Sequence, residues 1–274
     1  MNALSSDSGP GLVDRANLGQ IVVRNALAVG ALQGATAVVG IRHRRRDYAD
    51  LIWGPGLGLV AGLSAVNGRG HAGRRWGLAL GTTAWAARLA HLMWGRISTS
   101  DSEDPRYAEF LGDAGPGEVI AKVFLTQGLA QLLVSAPIQL AAASRLAPGR
   151  RALLAPLGLA VMAAGGVVEA VADRQKDAYT RRDRDARPPV LDTGLWGLSR
   201  HPNYFGDSVV WDGVWLCGAA SPPAALTLPA PVLMSYLLIY ATGARRTERR
   251  MAQRPGYRDY QERVSFFFPW RKRP

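Results

Sequence analysis

The sequence predicts an all-α fold, a polytopic integral membrane protein with about seven transmembrane helices. Apolar stretches rich in Ala, Gly, Leu and Val alternate with arginine-rich connectors along the 274 residues. Most stretches are near the ~20 residues that a helix needs to cross a bilayer. Basic residues gather at the ends of the stretches, as expected where a bilayer solvates the apolar parts. A mean hydropathy of -0.02 averages over this segregation and hides it.

Seven apolar runs form the predicted spans, and the last two are divided by Ser221-Pro222-Pro223, a turn through which no helix should continue. Residues 1–14 are expected to be a disordered tail without a signal peptide, which leaves 15–274 as a single transmembrane domain. The runs are 18–41, 49–66, 76–94, 119–143, 153–172, 208–220 and 224–241.

Charge bias predicts the orientation of these spans. One set of loops carries most of the arginines, including those from Arg42 to Arg46, those from Arg174 to Arg200 and the whole tail from Arg245. The positive-inside rule then places the N-terminus outside and the C-terminus in the cytosol of a cell membrane. The opposite loops have only Arg15, Arg69, Arg74, Arg75, Arg145, Arg150 and Arg151.

Composition limits the kinds of molecule that the protein is expected to bind. A formal net charge of +12 is also found in nucleic-acid-binding proteins, but here the basic residues form no recognition helix or aromatic-studded strand surface. Membrane topology, anionic lipid or a phosphorylated cofactor explains them better, so we expect no nucleic-acid partner. The single Cys217 excludes an internal disulfide and a cysteine-rich metal site, and no metal is expected.

The most informative segment is LSRHPNYFGD, residues 198–207. It places an arginine, a histidine, an amide, a phenol and a carboxylate between two apolar runs, and a cluster that polar beside a bilayer indicates a binding site. An ordinary turn is the alternative, because His201-Pro202-Asn203 is good turn chemistry and Arg200 and Tyr204 suit the headgroup level.

A second polar segment, EAVADRQK at 169–176, closes the fifth run. Glu169 and Asp173 are four residues apart and share a helix face. Two acids so placed repel each other unless a basic group such as Arg200 or a cofactor lies between them. A solvated helix end is the alternative.

The C-terminal tail is the third polar segment. Arginine side chains in general bind phosphates with forked geometry, and tyrosines such as Tyr257 and Tyr260 stack on or hydrogen-bond to rings, so the tail suits an anionic nucleotide. A basic tail lying on anionic lipid is the alternative, and we prefer it for Arg271-Lys272-Arg273.

Ionisable residues also occur within the second and third runs. Asp50 begins DLIWG, and Arg88 and His91 lie three apart on one face of WAARLAHLMWGR. Such residues at membrane depth face a cavity or one another. A lone histidine on an apolar helix is more often a satisfied core residue than a catalyst.

Glycines recur in two of the runs. Gly54, Gly56, Gly58 and Gly62 superficially match a dinucleotide-binding loop, but without a preceding strand we expect close helix packing instead. The same expectation holds for Gly165 and Gly166.

Taken together, these segments resemble the steroid 5-alpha-reductase-like membrane family, in particular its bacterial members of uncharacterised specificity. The matching pieces run in family order from the second span to the C-terminus. Isoprenylcysteine carboxyl methyltransferases and phospholipid methyltransferases have a similar Arg-His-Pro motif that binds S-adenosylmethionine. The pieces are DLIWG, RLAHLMWGR, EDPRY, EAVADRQK, GLWGLSRHPNYFGD and GYRDYQERVSFFFPW.

The coupling of ADRQK with RHPNYFGD looks like the NADPH-binding pair of sterol and steroid reductases. By that resemblance, cytosolic loops and the tail hold NADPH, with arginines favouring NADPH over NADH through the 2′-phosphate. The residues that the resemblance places at the cofactor are Asp173, Lys176, Trp196, Arg200, His201, Asn203, Tyr204, Asp207, Glu248, Arg249 and Tyr260.

The sequence departs from the family where the substrate ketone is polarised. Eukaryotic steroid reductases have a Gln-Glu pair in the second span and a tyrosine in the third, whereas this chain offers Asp50 and Trp53, then His91. Trp53 and Arg88 are the predicted substrate contacts. The candidate acids that complete hydride transfer to a polarised double bond are, in order, His91, Asp50 and Glu169.

The resemblance therefore implies NADPH-dependent reduction of a C=C bond in a steroid, isoprenoid or other lipophilic substrate. An S-adenosylmethionine-dependent lipid or prenylcysteine methyltransferase is the alternative, and a non-catalytic sterol-binding membrane protein is a second one.

Overall fold

The computed structural model describes residues 12–183, 185–241 and 243–272, and every regular element in those ranges is helical. The helices are α1 (Arg15–Arg42), α2 (Tyr48–Leu51), α3 (Trp53–Asn67), α4 (Ala72–Ser98), α5 (Pro105–Leu111), α6 (Pro116–Val119), α7 (Thr126–Val134), α8 (Ala136–Ala142), α9 (Leu154–Thr180), α10 (Pro202–Gly218), α11 (Pro222–Ala225), α12 (Pro229–Tyr236), α13 (Ala244–Met251) and α14 (Tyr257–Arg263). Short π-helical segments, Ile120–Leu125 and Leu237–Ala241, continue α6 and α12, and 3₁₀ turns occupy Gly149–Leu153 and Gly194–Gly197.

Five helical stretches in the described part of the chain are long and apolar enough to cross a membrane, which supports a membrane protein. The predicted count of seven is not confirmed. The third predicted run lies in α4, whose charged residues lower its hydropathy, and the sixth lies in α10, which is only 17 residues long. The five stretches are Arg15–Arg42, Tyr48–Asn67, Pro116–Val134, Gly149–Thr180 and Pro222–Met251.

The chain divides into two compact units. Unit 1 contains the residues up to Pro156 together with Cys217–Thr227, and unit 2 contains Leu157–Leu216 and the residues from Leu228 onward. The end of the predicted tail is part of unit 1, since the Arg145 amide donates to Leu12 O and the Asp14 carboxylate caps α1 at Asn17 N. Residues 1–11 of that tail lie outside the described residues.

Polar side chains on one face of α1 tie unit 1 together. Asn25 donates from Nδ2 to the Ser64 hydroxyl, and Gln33 donates from Nε2 to Gln131 Oε1, both at 2.9 Å. Gln131 in turn donates to the carbonyls of Ile52 and Trp53, at the point where the helix is interrupted between α2 and α3. Backbone carbonyls that are shielded from water need hydrogen-bond partners, so the Gln131 amide stabilises this interruption of the helix.

Arg74 is buried in unit 1, with only 1% of its surface exposed. Its guanidinium donates to the Ser221 hydroxyl at 2.7 Å and to the carbonyls of Ala141 and Ser144 at 2.8 and 2.7 Å. Those carbonyls lie at the C-terminus of α8, where the helix dipole is negative and favours a cation. Arg74, predicted only as a loop residue, therefore joins α4, α8 and the Ser221 turn.

In unit 2, glycines let α9 and α10 approach closely. A Cβ on Gly165 would lie 2.6 Å from the Val210 nitrogen, and one on Gly206 would lie 2.6 Å from the Glu169 nitrogen. Because both obstacles are backbone atoms, the helices would have to separate to admit a side chain. Gly206 of the LSRHPNYFGD segment is therefore a packing residue.

The glycines for which close helix packing was predicted differ in how near their neighbours lie. Close approach is confirmed at Gly165 and at Gly54, Gly56 and Gly58 of α3, where an added Cβ would crowd neighbouring atoms. The prediction of close packing is wrong at Gly62 and Gly166, because a Cβ added at either position would have no neighbouring atom within 4 Å.

Adjacent substitutions test the packing of α9 on α10. Gly165→Ala should lower the free energy of unfolding by about 1–3 kcal/mol through overpacking, whereas Gly166→Ala should raise it by about 0.5–1 kcal/mol because alanine favours the helix. Thermal unfolding of the detergent-solubilised protein measures both. Equal effects of the two substitutions would contradict the close approach.

Candidate functional site

The candidate site of unit 2 is organised around the carboxylate of Glu248 on α13. Arg200 donates to it from Nε at 3.1 Å and pairs with it through Nη2 at 2.9 Å. Both side chains are about nine-tenths buried, at 10% exposure each. A buried charge is stable when it is paired and hydrogen-bonded, so this pair fixes α13 against the start of α10.

The remaining hydrogen-bond donors to Glu248 come from the start of α10 and from α14. His201 Nε2 lies 3.0 Å from Oε1, and since an ionised carboxylate only accepts, we assign the imidazole proton to Nε2. Tyr257 donates from its hydroxyl at 2.8 Å and Gln261 from Nε2 at 2.6 Å. Glu248, which lies on α13, therefore joins that helix both to the Arg200-His201 motif and to α14.

Arg200 also secures the end of α14 directly. Its Nη1 donates to the carbonyls of Gln261 and Val264 at 2.7 and 2.6 Å. With one N–H on Nε, two on Nη1 and one on Nη2 engaged, four of the five guanidinium donors are used. Arg200, predicted as a cofactor contact, is thus also an internal bridge between α13 and the end of α14.

Pro202 begins a helix and does not form the alternative turn. Proline suits the first helical position because its fixed φ matches a helix and its missing N–H is not needed there. The His201 carbonyl accepts from Phe205 N, and the Ser199 hydroxyl accepts from His201 N. The His201 ring stacks on Tyr204 with centroids 5.8 Å apart.

The two predicted cofactor motifs meet beside this helix start. Asn203 donates from Nδ2 to Asp173 Oδ1 at 3.2 Å, which joins α10 to the end of α9. Trp196 donates from Nε1 to Ala172 O at 3.0 Å, and Lys176 Nζ lies 5.8 Å from the centre of its indole ring. The ADRQK and RHPNYFGD segments are therefore neighbours in unit 2.

Tyr260 and Tyr257 hold α14 on this cluster. The Tyr260 hydroxyl donates to Trp196 O at 2.7 Å. Burial raises the pKa of both phenols, and the nearby Glu248 charge raises that of Tyr257 further. Both hydroxyls therefore stay protonated and act as donors at neutral pH.

A groove of about 310 Å³ opens beside the Arg200 bridge. Its size is at the lower end of the about 300–1,000 Å³ typical of small-molecule sites. Three arginines and two aromatic rings give it a cationic, partly aromatic wall. Its lining residues are Arg200, Gln261, Glu262, Arg263, Val264, Ser265, Phe266, Trp270 and Arg271.

The remaining predicted residues of unit 2 differ in exposure. Glu169 and Asp207 are buried, at 4% and 5% exposure, on the facing helices α9 and α10. Tyr204 is half-buried and Arg249 is exposed on α13. Gln261 and Ser199 lie within the segments named above but were not chosen as site residues, because nothing in the sequence distinguishes an internal hydrogen-bond donor there from a surface residue.

In unit 1, Asp50 belongs to an ion-pair network with the EDPRY segment. Arg106 donates from Nη2 to Asp50 Oδ2 and Tyr107 donates from its hydroxyl to Oδ1, both at 2.9 Å. Arg106 also pairs with Asp104 at 3.1 Å. Burial and the Asp50 charge raise the pKa of Tyr107, so Tyr107 remains a donor.

Asp104 lies between two arginines of this network, Arg106 and Arg96. Burial alone would raise the pKa of its carboxyl, but hydrogen bonds from Arg106 and the charges of both arginines lower it. Asp104 is therefore ionised at neutral pH.

The other predicted residues of unit 1 lie on α3 and α4. His91 is exposed, whereas Arg88 and Trp53 are half-buried. Trp53 begins α3, and its carbonyl accepts from Gln131. Among the described residues, no group of His, Cys, Asp or Glu could hold a metal ion.

Comparisons with known proteins identify a family without a known activity. A model described as "Protein of unknown function (DUF1295)" matches residues 37–264. An uncharacterized protein of Schizosaccharomyces pombe is 32% identical over 78 residues, which is 28% of this chain and 23% of that protein. The chain thus covers less than a quarter of that relative's length. No solved structure matches the chain. Because the family model covers most of the sequence, this protein belongs to the DUF1295 family.

Proposed function

We propose that this protein is an NADPH-dependent membrane oxidoreductase of the steroid 5-alpha-reductase-like kind, which reduces a polarised C=C bond in a lipophilic substrate. The observation that carries the proposal is the Asn203–Asp173 hydrogen bond, which brings the RHPNYFGD and ADRQK segments together in unit 2. These are the two segments whose coupling resembles a reductase cofactor site.

The chemistry of the surrounding side chains fits an anionic dinucleotide. Lys176, Arg249 and Arg263 supply cations with no more than partial burial, and guanidinium forks match phosphate geometry. Trp196 and Tyr204 supply rings. NADPH, when bound, provides the hydride. Four hydrogen-bonded side chains would hold the elements around the cofactor in position. They are Arg200, His201, Glu248 and Tyr260.

The proposed proton donors differ in their surroundings. Asp50 accepts from both Arg106 and Tyr107, so its role would be to orient these two groups. Glu169 is buried at the contact of α9 with α10. His91 is exposed on α4, on the same helix as the proposed substrate contact Arg88. His91 remains our first candidate.

The proposal includes the seven-span arrangement, with the N-terminus outside and the C-terminus in the cytosol. The distribution of arginines supports it. With seven spans, positions 150 and 254 lie on opposite sides of the membrane. With the five apolar stretches alone, both positions lie on the same side, so their sidedness distinguishes the two counts.

Single-cysteine labelling tests this arrangement. Arg150→Cys and Arg254→Cys, each in a Cys217→Ser background, should differ in intact cells. A membrane-impermeant maleimide should label position 150 and should label position 254 only after permeabilisation. Equal labelling of the two positions in intact cells, or equal protection, would exclude the seven-span arrangement.

Cofactor binding tests the proposed activity. NADPH should stabilise the detergent-solubilised protein against thermal unfolding, because a ligand that binds only the folded state raises stability. Lys176→Gln and Arg249→Gln should each weaken NADPH binding by about tenfold, the effect of losing one charge-assisted contact. Both residues are exposed, so folding should not change.

Arg150→Gln, an exposed substitution in unit 1, is the matched control and should leave NADPH affinity unchanged. Stabilisation by S-adenosylmethionine alone would favour the methyltransferase alternative. Stabilisation by NADPH without NADPH consumption in the presence of unsaturated steroid ketones or isoprenoids would favour a binding protein. No response to NADPH would overturn the proposal.

A further inference from the structure

The turn that follows α1 in unit 1 carries a run of basic residues, IRHRRR at 41–46. Its last two arginines are used inside the unit. Arg45 donates from Nε and Nη2 to the two carboxylate oxygens of Asp47, both at 3.0 Å. Arg46 donates from Nε to Glu103 Oε1 at 2.8 Å. Each of these two arginines therefore has an acid of its own, and neither is available to an outside ligand.

The other basic residues of the run, Arg42, His43 and Arg44, are exposed. Within the ranges that the structure describes, no acidic side chain pairs with Arg42 or Arg44. His43 lies beside Tyr48, with ring centroids 6.3 Å apart. The turn therefore presents two uncompensated positive charges at its surface.

The backbone of this turn favours glycine where Arg44 stands. The Arg45 N–H donates to Gly40 O at 2.8 Å and the Arg44 N–H donates to Ile41 O at 3.3 Å, which is the pattern of a Schellman motif. Arg44 has a φ of 53°, in the left-handed region that glycine adopts readily and an arginine does not. Since the backbone disfavours an arginine here, its presence is best explained by what its side chain binds.

The exposed face of α1 that leads to this turn is apolar. Val38 and Val39 are 50% and 45% exposed, and Arg42 follows Val38 by one helical turn on the same face. With 28 residues, α1 is about 42 Å long, whereas the hydrocarbon core of a bilayer is about 30 Å thick. The last turn of a spanning α1 therefore reaches the level of the lipid headgroups, where phosphates lie beside its cations and acyl chains beside its valines.

We propose that Arg42 and Arg44 bind the phosphate of an anionic phospholipid whose acyl chains lie along Val38 and Val39. Guanidinium forks match phosphate geometry, and each arginine near an anionic membrane surface strengthens binding by about fivefold. The lipid site holds the turn between α1 and α2. It concerns unit 1 alone and does not depend on the proposed oxidoreductase activity.

A fluorescent label beside the site measures which lipid occupies it. Bimane is attached to Val38→Cys in a Cys217→Ser background of the full-length protein, reconstituted in phosphatidylcholine nanodiscs. Brominated phosphatidylglycerol should quench the label at a lower mole fraction than brominated phosphatidylcholine. Arg42→Gln and Arg44→Gln should each reduce this preference by about fivefold. Arg150→Gln, which alters an exposed arginine elsewhere in unit 1, is the matched control and should leave the preference unchanged.

Two further substitutions separate the side chain of Arg44 from its backbone. Arg44→Gly should lose the lipid preference as Arg44→Gln does, yet raise the melting temperature by about 2–4 °C because glycine suits the positive φ. Arg44→Lys retains the charge and should keep the preference to within about twofold. Full preference in Arg44→Gly would contradict a role for this side chain.

Three other results would overturn the proposal. They are equal quenching by the two brominated lipids in the labelled protein without further change, an unaltered preference in both glutamine variants, and a preference that disappears when inorganic phosphate is added at constant ionic strength. The last result would identify a site for soluble phosphate and not for a lipid.

Discussion

The Glu248 carboxylate is the group on which the arrangement of unit 2 depends. It accepts from Arg200, His201, Tyr257 and Gln261, and these donors come from the start of α10 and from α14. Glu248 itself lies on α13. Since a buried carboxylate needs all its partners, one side chain sets the positions of three helices and of the groove beside them.

The residues of the LSRHPNYFGD segment therefore have two kinds of role: some make internal contacts that hold the helices, and others lie where a ligand would bind. Arg200 and His201 face Glu248, and Gly206 lets α10 reach the backbone of α9. Asn203 instead faces Asp173 at the end of α9. A motif that resembles a cofactor site therefore contains both the residues that would contact a ligand and those that hold the contact surface.

Much of the fold could be predicted from the sequence, because a bilayer imposes long apolar helices that pattern and charge reveal. The site was predicted only as a set of segments. Pairing within it depends on tertiary proximity: Gln261 and Arg263 lie two residues apart, yet one donates to Glu248 and the other faces the groove. Arg74 was predicted only as a loop residue, because a sequence does not show which helix C-terminus will neutralise a buried cation.

The most direct test of this account is a double-mutant cycle between Arg200 and Glu248, read from the free energy of unfolding in mixed micelles. Arg200→Met and Glu248→Gln should each destabilise the protein by about 3 kcal/mol or more, because each leaves a buried group without its partner. Together they should cost less than their sum by about 1–3 kcal/mol. Effects that add to within about 0.5 kcal/mol would contradict the central role of this pair.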